Sequence, residues 1–356
     1  MRFLGIGLRL LFSAMVILVL NYGVIAAEPA SGPLGFFSNS LHYTGEGMRY
    51  WYEEAGGFMA QTGIPYMSDQ LDCKNCHVQS CDQCHAWMEE DKYQYSATTA
   101  KDMDNTCLPC HKREKATYNI GKASNTLDVH IAGGMTCMDC HSAEEVHGDG
   151  TFYHSMRDVG IARSSCGDCH EFGEDASRAH TVHKGKLDCA ACHVSNSLVC
   201  MNCHLEETIN KQSRTGNFIP AAQDWTLLIN YDGKVTTGTT QSLVYQDQKF
   251  IAYAPFFTHA IQGQGKGCVD CHANEAVQMI KQGEVVPMAE FKDGKVTFWH
   301  GMVPCVPEQL DWPFLDKGDA GWELMEDTGD VRVQMVTYGT PLTEDQLKKL
   351  SMPLKK

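Results

Sequence analysis

Two cysteines three positions apart, with a histidine directly after the second, recur eight times in this chain. The sets are Cys73, Cys76, His77; Cys81, Cys84, His85; Cys107, Cys110, His111; Cys137, Cys140, His141; Cys166, Cys169, His170; Cys189, Cys192, His193; Cys200, Cys203, His204; and Cys268, Cys271, His272. With 17 Cys and 16 His in 356 residues, about 0.04 copies of such a motif would arise by chance. Only Cys305 is left over. The spacing has a direct chemical meaning. Two sulfurs three positions apart can form thioethers to the two vinyl groups of one haem, and the adjacent histidine then lies under the iron as its proximal ligand. Zinc ribbons pair C-x-x-C units but require no histidine after every second cysteine. A disulfide framework also uses an even number of cysteines, but it leaves the eight histidines in register unexplained. Eight covalently bound haem c groups are the expectation.

The other histidines are His42, His130, His147, His154, His180, His183, His259 and His300, again eight, one for each remaining axial position. His130, His147, His180, His183 and His259 lie within ten residues of a motif. His180 and His183 stand one helical turn apart just before Cys189, so each can reach a different haem. Methionine competes for the same role, but Met138 and Met201 sit inside motifs and are badly placed to face the distal side of their own haem. Bis-histidine ligation gives low potentials, and methionine would raise them. If all eight irons are six-coordinate with histidine, no position stays open for a substrate.

The elements that must position these ligands are short. The intervals between first cysteines are 8, 26, 30, 29, 23, 11 and 68, which is no regular repeat. Short helices beginning near each motif, joined by loops, are expected over 73–204. Then the texture changes. Residues 225–238 and 242–255 carry β-branched and aromatic residues around Asp232-Gly233 and Gln246-Asp247, and residues 289–301 turn at Asp293-Gly294, all hairpin signals. Thr343 to Gln346 reads as a capping box opening a terminal helix. The expected fold is mostly α and irregular, organised by haems, with a small β-hairpin subdomain near residues 225–300. By segment this gives a signal peptide over 1–27, an N-terminal arm over 28–72, and an octahaem core over 73–272 with a β-rich insertion at 220–257. A C-terminal hairpin and helix over 273–356 complete the chain.

Arg2 and Arg9 precede the apolar run Leu10–Leu20 and the small-residue site Val24-Ile25-Ala26-Ala27, the pattern of a secretory signal peptide. Export to the periplasm or the cell exterior follows, with no apolar segment after residue 27 fit to span a membrane. Cleavage after Ala27 would leave about 41 residues per haem, too thin a chain to bury each porphyrin separately, so the haems must pack against one another. The formal charge of −15 becomes −17 once both arginines are removed. Such a surface disfavours nucleic acid and favours basic redox partners. Glu89-Glu90-Asp91 and Glu144-Glu145 read as solvated surface. Cys305 reads as a buried free thiol, half of an intermolecular disulfide, or a sulfur near a haem beside His300.

The run from Gly134 to Gly150, then Ser165 to His170 and His180 to His204, resembles octahaem cytochromes related to octaheme tetrathionate reductase and, more distantly, hydroxylamine oxidoreductase. The His180/His183 pair resembles that of small tetrahaem class III cytochromes. The resemblance is strongest over 73–272 and implies stacked and perpendicular haem pairs in a periplasmic or extracellular setting. It differs from the pentahaem nitrite reductases of the wider superfamily in having no C-x-x-C-K motif, and no lysine matches the axial lysine of octaheme tetrathionate reductase. Electron transfer from a membrane quinol-linked donor is therefore the first functional expectation. Reduction of small nitrogen or sulfur oxyanions (nitrite, hydroxylamine, tetrathionate) is the second. A polymeric filament, with His42 exchanged between copies, is the third.

Overall fold

The computed structural model describes residues 35–354, apart from 55, 69–70, 72–75, 172–176, 212–218, 222–224, 319–320 and 326–328. The signal segment and Cys73 lie outside the described residues.

The hub of the fold is the strand Lys234–Tyr245. It pairs antiparallel with Trp225–Tyr231 and with Gln248–Pro255, and parallel with Val199–His204. Gly301–Pro304 adds to Trp225–Tyr231 and Val331–Met335 to Gln248–Pro255, both parallel, and Ile219–Ala221 pairs antiparallel with Val199–His204, giving a seven-stranded sheet. The two hairpin turns hold both central residues at positive φ: Asp232 49° and Gly233 72°, then Gln246 49° and Asp247 59°. That left-handed backbone matches the twist of the flanking strands. Asp293-Gly294 makes the same turn between Ala289–Lys292 and Lys295–Phe298. A fourth sits at Glu90-Asp91, between Ala86–Glu89 and Lys92–Tyr95, where the sequence suggested only acidic surface.

Trp225, Leu227 and Ile229 pack on one face of the sheet with Tyr253, Val303, Cys305, Trp312 and Phe314. Leu228 points the other way, against Ala191, Met302 and Leu342, with Leu347 and Leu350 of the terminal helix beside them. This alternation is the period of a strand buried on both sides. Trp312 Nε1 donates to the Tyr253 hydroxyl at 2.9 Å inside the core.

The insertion and the C-terminal segment, read separately from sequence, thus form one sheet, and the strand carrying Cys200 and Cys203 belongs to it. Strand content is correspondingly larger than a mostly α and irregular chain would have. The described part of the N-terminal arm is also bound to this body. Gln334 Nε2 donates to the Trp51 carbonyl at 2.9 Å, and Gln61 Nε2 to Gln248 Oε1 at 2.8 Å.

Between residues 76 and 187 the construction is different. Leu108, 4% exposed, is the one buried hydrophobic residue among the described residues there, and every hydrophobic cluster lies outside the segment. Apart from the hairpin at 86–95 and the 13-residue helix Lys112–Ser124, its order is made of short helices, several held by side-chain caps. Asp128 accepts from His130 N at 2.9 Å, Ser142 from Glu145 N at 3.1 Å and Ser177 from His180 N at 3.3 Å. Caps fix local direction but bury nothing.

Candidate metal centres along the C-x-x-C-H motifs

Most motifs share one local design. The histidine N–H donates to the carbonyl of the first cysteine: His85 to Cys81 at 2.9 Å, His111 to Cys107 at 3.0 Å, His141 to Cys137 and His170 to Cys166 at 2.9 Å. Cys189–His193 and Cys268–His272 are full helical turns. One helical turn puts residues three and four apart on one face, so both sulfurs and the imidazole address the same space. The seventh motif departs from the expected helix, because Cys200 and Cys203 lie on a strand whose register shifts between them. All sixteen described cysteines are free thiols.

Six of these proximal histidines face a histidine of the second set. Ring centroids are 6.2 Å apart for His111 and His42, 5.9 Å for His85 and His147, and 5.9 Å for His170 and His130. They are 6.1 Å apart for His141 and His259, 6.4 Å for His193 and His180, and 6.0 Å for His272 and His183. A metal–imidazole bond of about 2.0 Å plus about 1.1 Å from nitrogen to ring centre puts two axial imidazoles about 6.2 Å apart across one ion. Aromatic contact alone tolerates the same separations. The ring nitrogens add a second observation.

The buried Nδ1 of His259 has no partner, but Nδ1 meets a carbonyl or a carboxylate in eight other rings. It meets the carbonyls of Val146 (His42, 3.1 Å), Ser96 (His85, 3.2 Å), Ala179 (His183, 3.0 Å), Gln262 (His193, 3.0 Å) and Leu350 (His272, 2.9 Å). It meets carboxylates at His130 (Asp128, 3.1 Å), His141 (Glu145, 2.9 Å) and His154 (Glu46, 2.9 Å). Neither a carbonyl nor an ionised carboxylate can donate, so the proton is on Nδ1 and the lone pair of the neutral ring is on Nε2. That is the tautomer an Nε2-bound metal needs, oriented by an outer acceptor. Burial lowers the pKa of His42, His147, His183 and His259, which keeps them neutral. At His141 the hydrogen bond donated to Glu145 raises it, the basicity gain expected of a carboxylate–histidine pair. Glu145, read from sequence as solvated, accepts from both His141 and Ser164.

The motifs also approach one another. The thiols of Cys107 and Cys137, and of Cys166 and Cys189, lie close enough to shift one another's ionisation, and Cys76 lies close enough to shift that of Cys110. Cys84 lies within electrostatic reach of Cys107 and Cys110, Cys140 of Cys169, and Cys192 of Cys268 and Cys271. Leu71 and Leu205 share a cluster, which brings the residue after His204 beside the chain at Leu71.

His154 packs on Tyr50 and Phe152, with ring centroids 5.0 and 5.3 Å away, and has no histidine opposite among the described residues. His300 is exposed and faces no histidine ring among them. The side chain of His204 lies outside the described residues. Cys305 is fully buried in the sheet core, where burial pushes its thiol pKa up. No family model, no curated protein and no solved structure matches this chain.

Proposed function

We propose that this chain is a periplasmic or extracellular octahaem c-type cytochrome that carries electrons along closely spaced bis-histidine haems. The six histidine pairs at 5.9–6.4 Å carry the reading. A haem iron held by two imidazoles supplies reversible one-electron exchange at low potential. The chain's own part is to hold each imidazole neutral, fix its tautomer through Nδ1 and keep successive motifs in contact. The nearly coreless stretch from 76 to 187 agrees with macrocycles serving as interior. A membrane quinol-linked donor and basic redox proteins fit the acidic surface. His42 faces His111 of its own chain, which takes away the reason for assigning it to a neighbouring copy in a filament. Electron paramagnetic resonance of the oxidised, purified protein tests the reading. Low-spin ferric signals should integrate to at least six irons per chain, and fewer than six would remove the bis-histidine assignment.

A further inference from the structure

In a chain of formal charge −15, two cations converge on one phenol. The Arg157 guanidinium lies over the Tyr231 ring, 4.3 Å from its centre, and that of Arg163 stands 6.0 Å from the same centre. Arg163 also donates to the Tyr231 hydroxyl at 3.4 Å, and this hydroxyl donates to the Arg157 carbonyl at 3.3 Å. Among the described residues no carboxylate pairs with either guanidinium. The neighbouring acids are engaged elsewhere. Asp158 accepts from His154 N at 2.7 Å, Ser155 N at 3.2 Å and the Tyr338 hydroxyl at 2.7 Å. Asp188, within electrostatic reach of Arg157, caps Ala190 N at 3.2 Å.

One atom is left without a partner. Arg157 Nε is buried and makes no hydrogen bond. A guanidinium stacked on a ring keeps its in-plane edge free, and Nε–H with a neighbouring N–H is the paired edge that grips a carboxylate. A shielded charged donor with no acceptor is costly, so this position calls for an anion. Its place in the chain points to the source. Arg163 stands three residues before Cys166, and Asp188 directly precedes Cys189. We infer that Arg157 and Arg163 clamp a propionate carboxylate of one haem where the fifth and sixth motifs meet, with the Tyr231 ring as the platform that orients the paired donors. This rests on the haem reading above. It adds a fixed positive charge that raises the potential of that haem relative to its neighbours, because a cation favours the reduced, less positive state.

Spectroelectrochemical titration and resonance Raman spectra of the holoprotein test the clamp. Arg157→Gln should keep the full covalent haem complement by intact mass, move one reduction step to lower potential and alter one propionate bending mode. Arg157→Lys should recover most of the potential shift but leave that mode altered, since an ammonium is a point charge without paired donors. Arg163→Gln, at an exposed position, should shift the same step and serves where Arg157→Gln does not fold. Unchanged potentials in these variants would overturn the inference, as would a potential shift with the propionate mode intact, which would mean a charge acting at a distance. Binding of inorganic phosphate that Arg157→Gln abolishes, with the propionate mode unchanged, would also overturn it and make the clamp a site for a free anion. Absence of covalent haem would instead overturn the wider reading, and the mass spectrum distinguishes that case.

Discussion

The direction of an imidazole's proton decides what the ring can do, and here it is set one hydrogen bond at a time. Five of the fixing acceptors are backbone carbonyls, those of Ser96, Val146, Ala179, Gln262 and Leu350. Any residue type supplies a carbonyl, so these partners leave no mark in the sequence. Asp128, Glu145 and Ser177 were closer to legible, standing two before, four after and three before a histidine in helical register. The sixteen ligand candidates could be counted from sequence, but not which faces which. His147 is the informative position because it faces His85, whose motif cysteines are on a different part of the chain. His147→Ala should add one high-spin iron to the spectrum and leave the covalent haem count unchanged, since thioethers do not depend on the distal side. Loss of a haem, or no change in spin state, would contradict the pairing.

At the scale of elements, small caps do work that packing does elsewhere. Asp128 is buried and accepts from His130 N, His130 Nδ1 and Ile261 N, joining a four-residue helix to the segment that carries His259. Asp128→Ala removes a cap worth about 1 kcal/mol and leaves a donor unpaired at about 1–3 kcal/mol. Guanidinium unfolding of the holoprotein should show a loss of about 2–4 kcal/mol; a change below about 0.5 kcal/mol would mean that this junction is not structural. The hairpins at 232–233, 246–247 and 293–294 were legible because their turn residues favour positive φ. Glu90-Asp91 adopts the same turn with residues that read as charge, and the strand at Cys200 hides inside a motif that elsewhere makes a helix.

The whole molecule divides into a sheet body with a core and a ligand-dense stretch nearly without one. One buried leucine offsets little of the conformational entropy lost on ordering this stretch, so on the proposed haem reading residues 76–187 depend on what their cysteines and histidines hold. Protein made without haem attachment should be cut by trypsin or chymotrypsin within 76–187 while 225–342 resists, and equal protection of both would contradict this. The thinness of the chain per haem was legible from length. The unity of the sheet was not, because Trp225–Tyr231 meets Gly301–Pro304, and Gln248–Pro255 meets Val331–Met335, by parallel pairing across long connections. Hydrophobic pattern marks a strand but does not name a distant partner.

The central claim is that all eight motifs carry haem. The intact mass of the purified, exported protein, read under denaturing conditions that retain only covalent groups, measures this directly. The account predicts the polypeptide beginning after Ala26 or Ala27 plus eight haem masses. A mass with seven or fewer, or one matching unmodified thiols or disulfides, would contradict it.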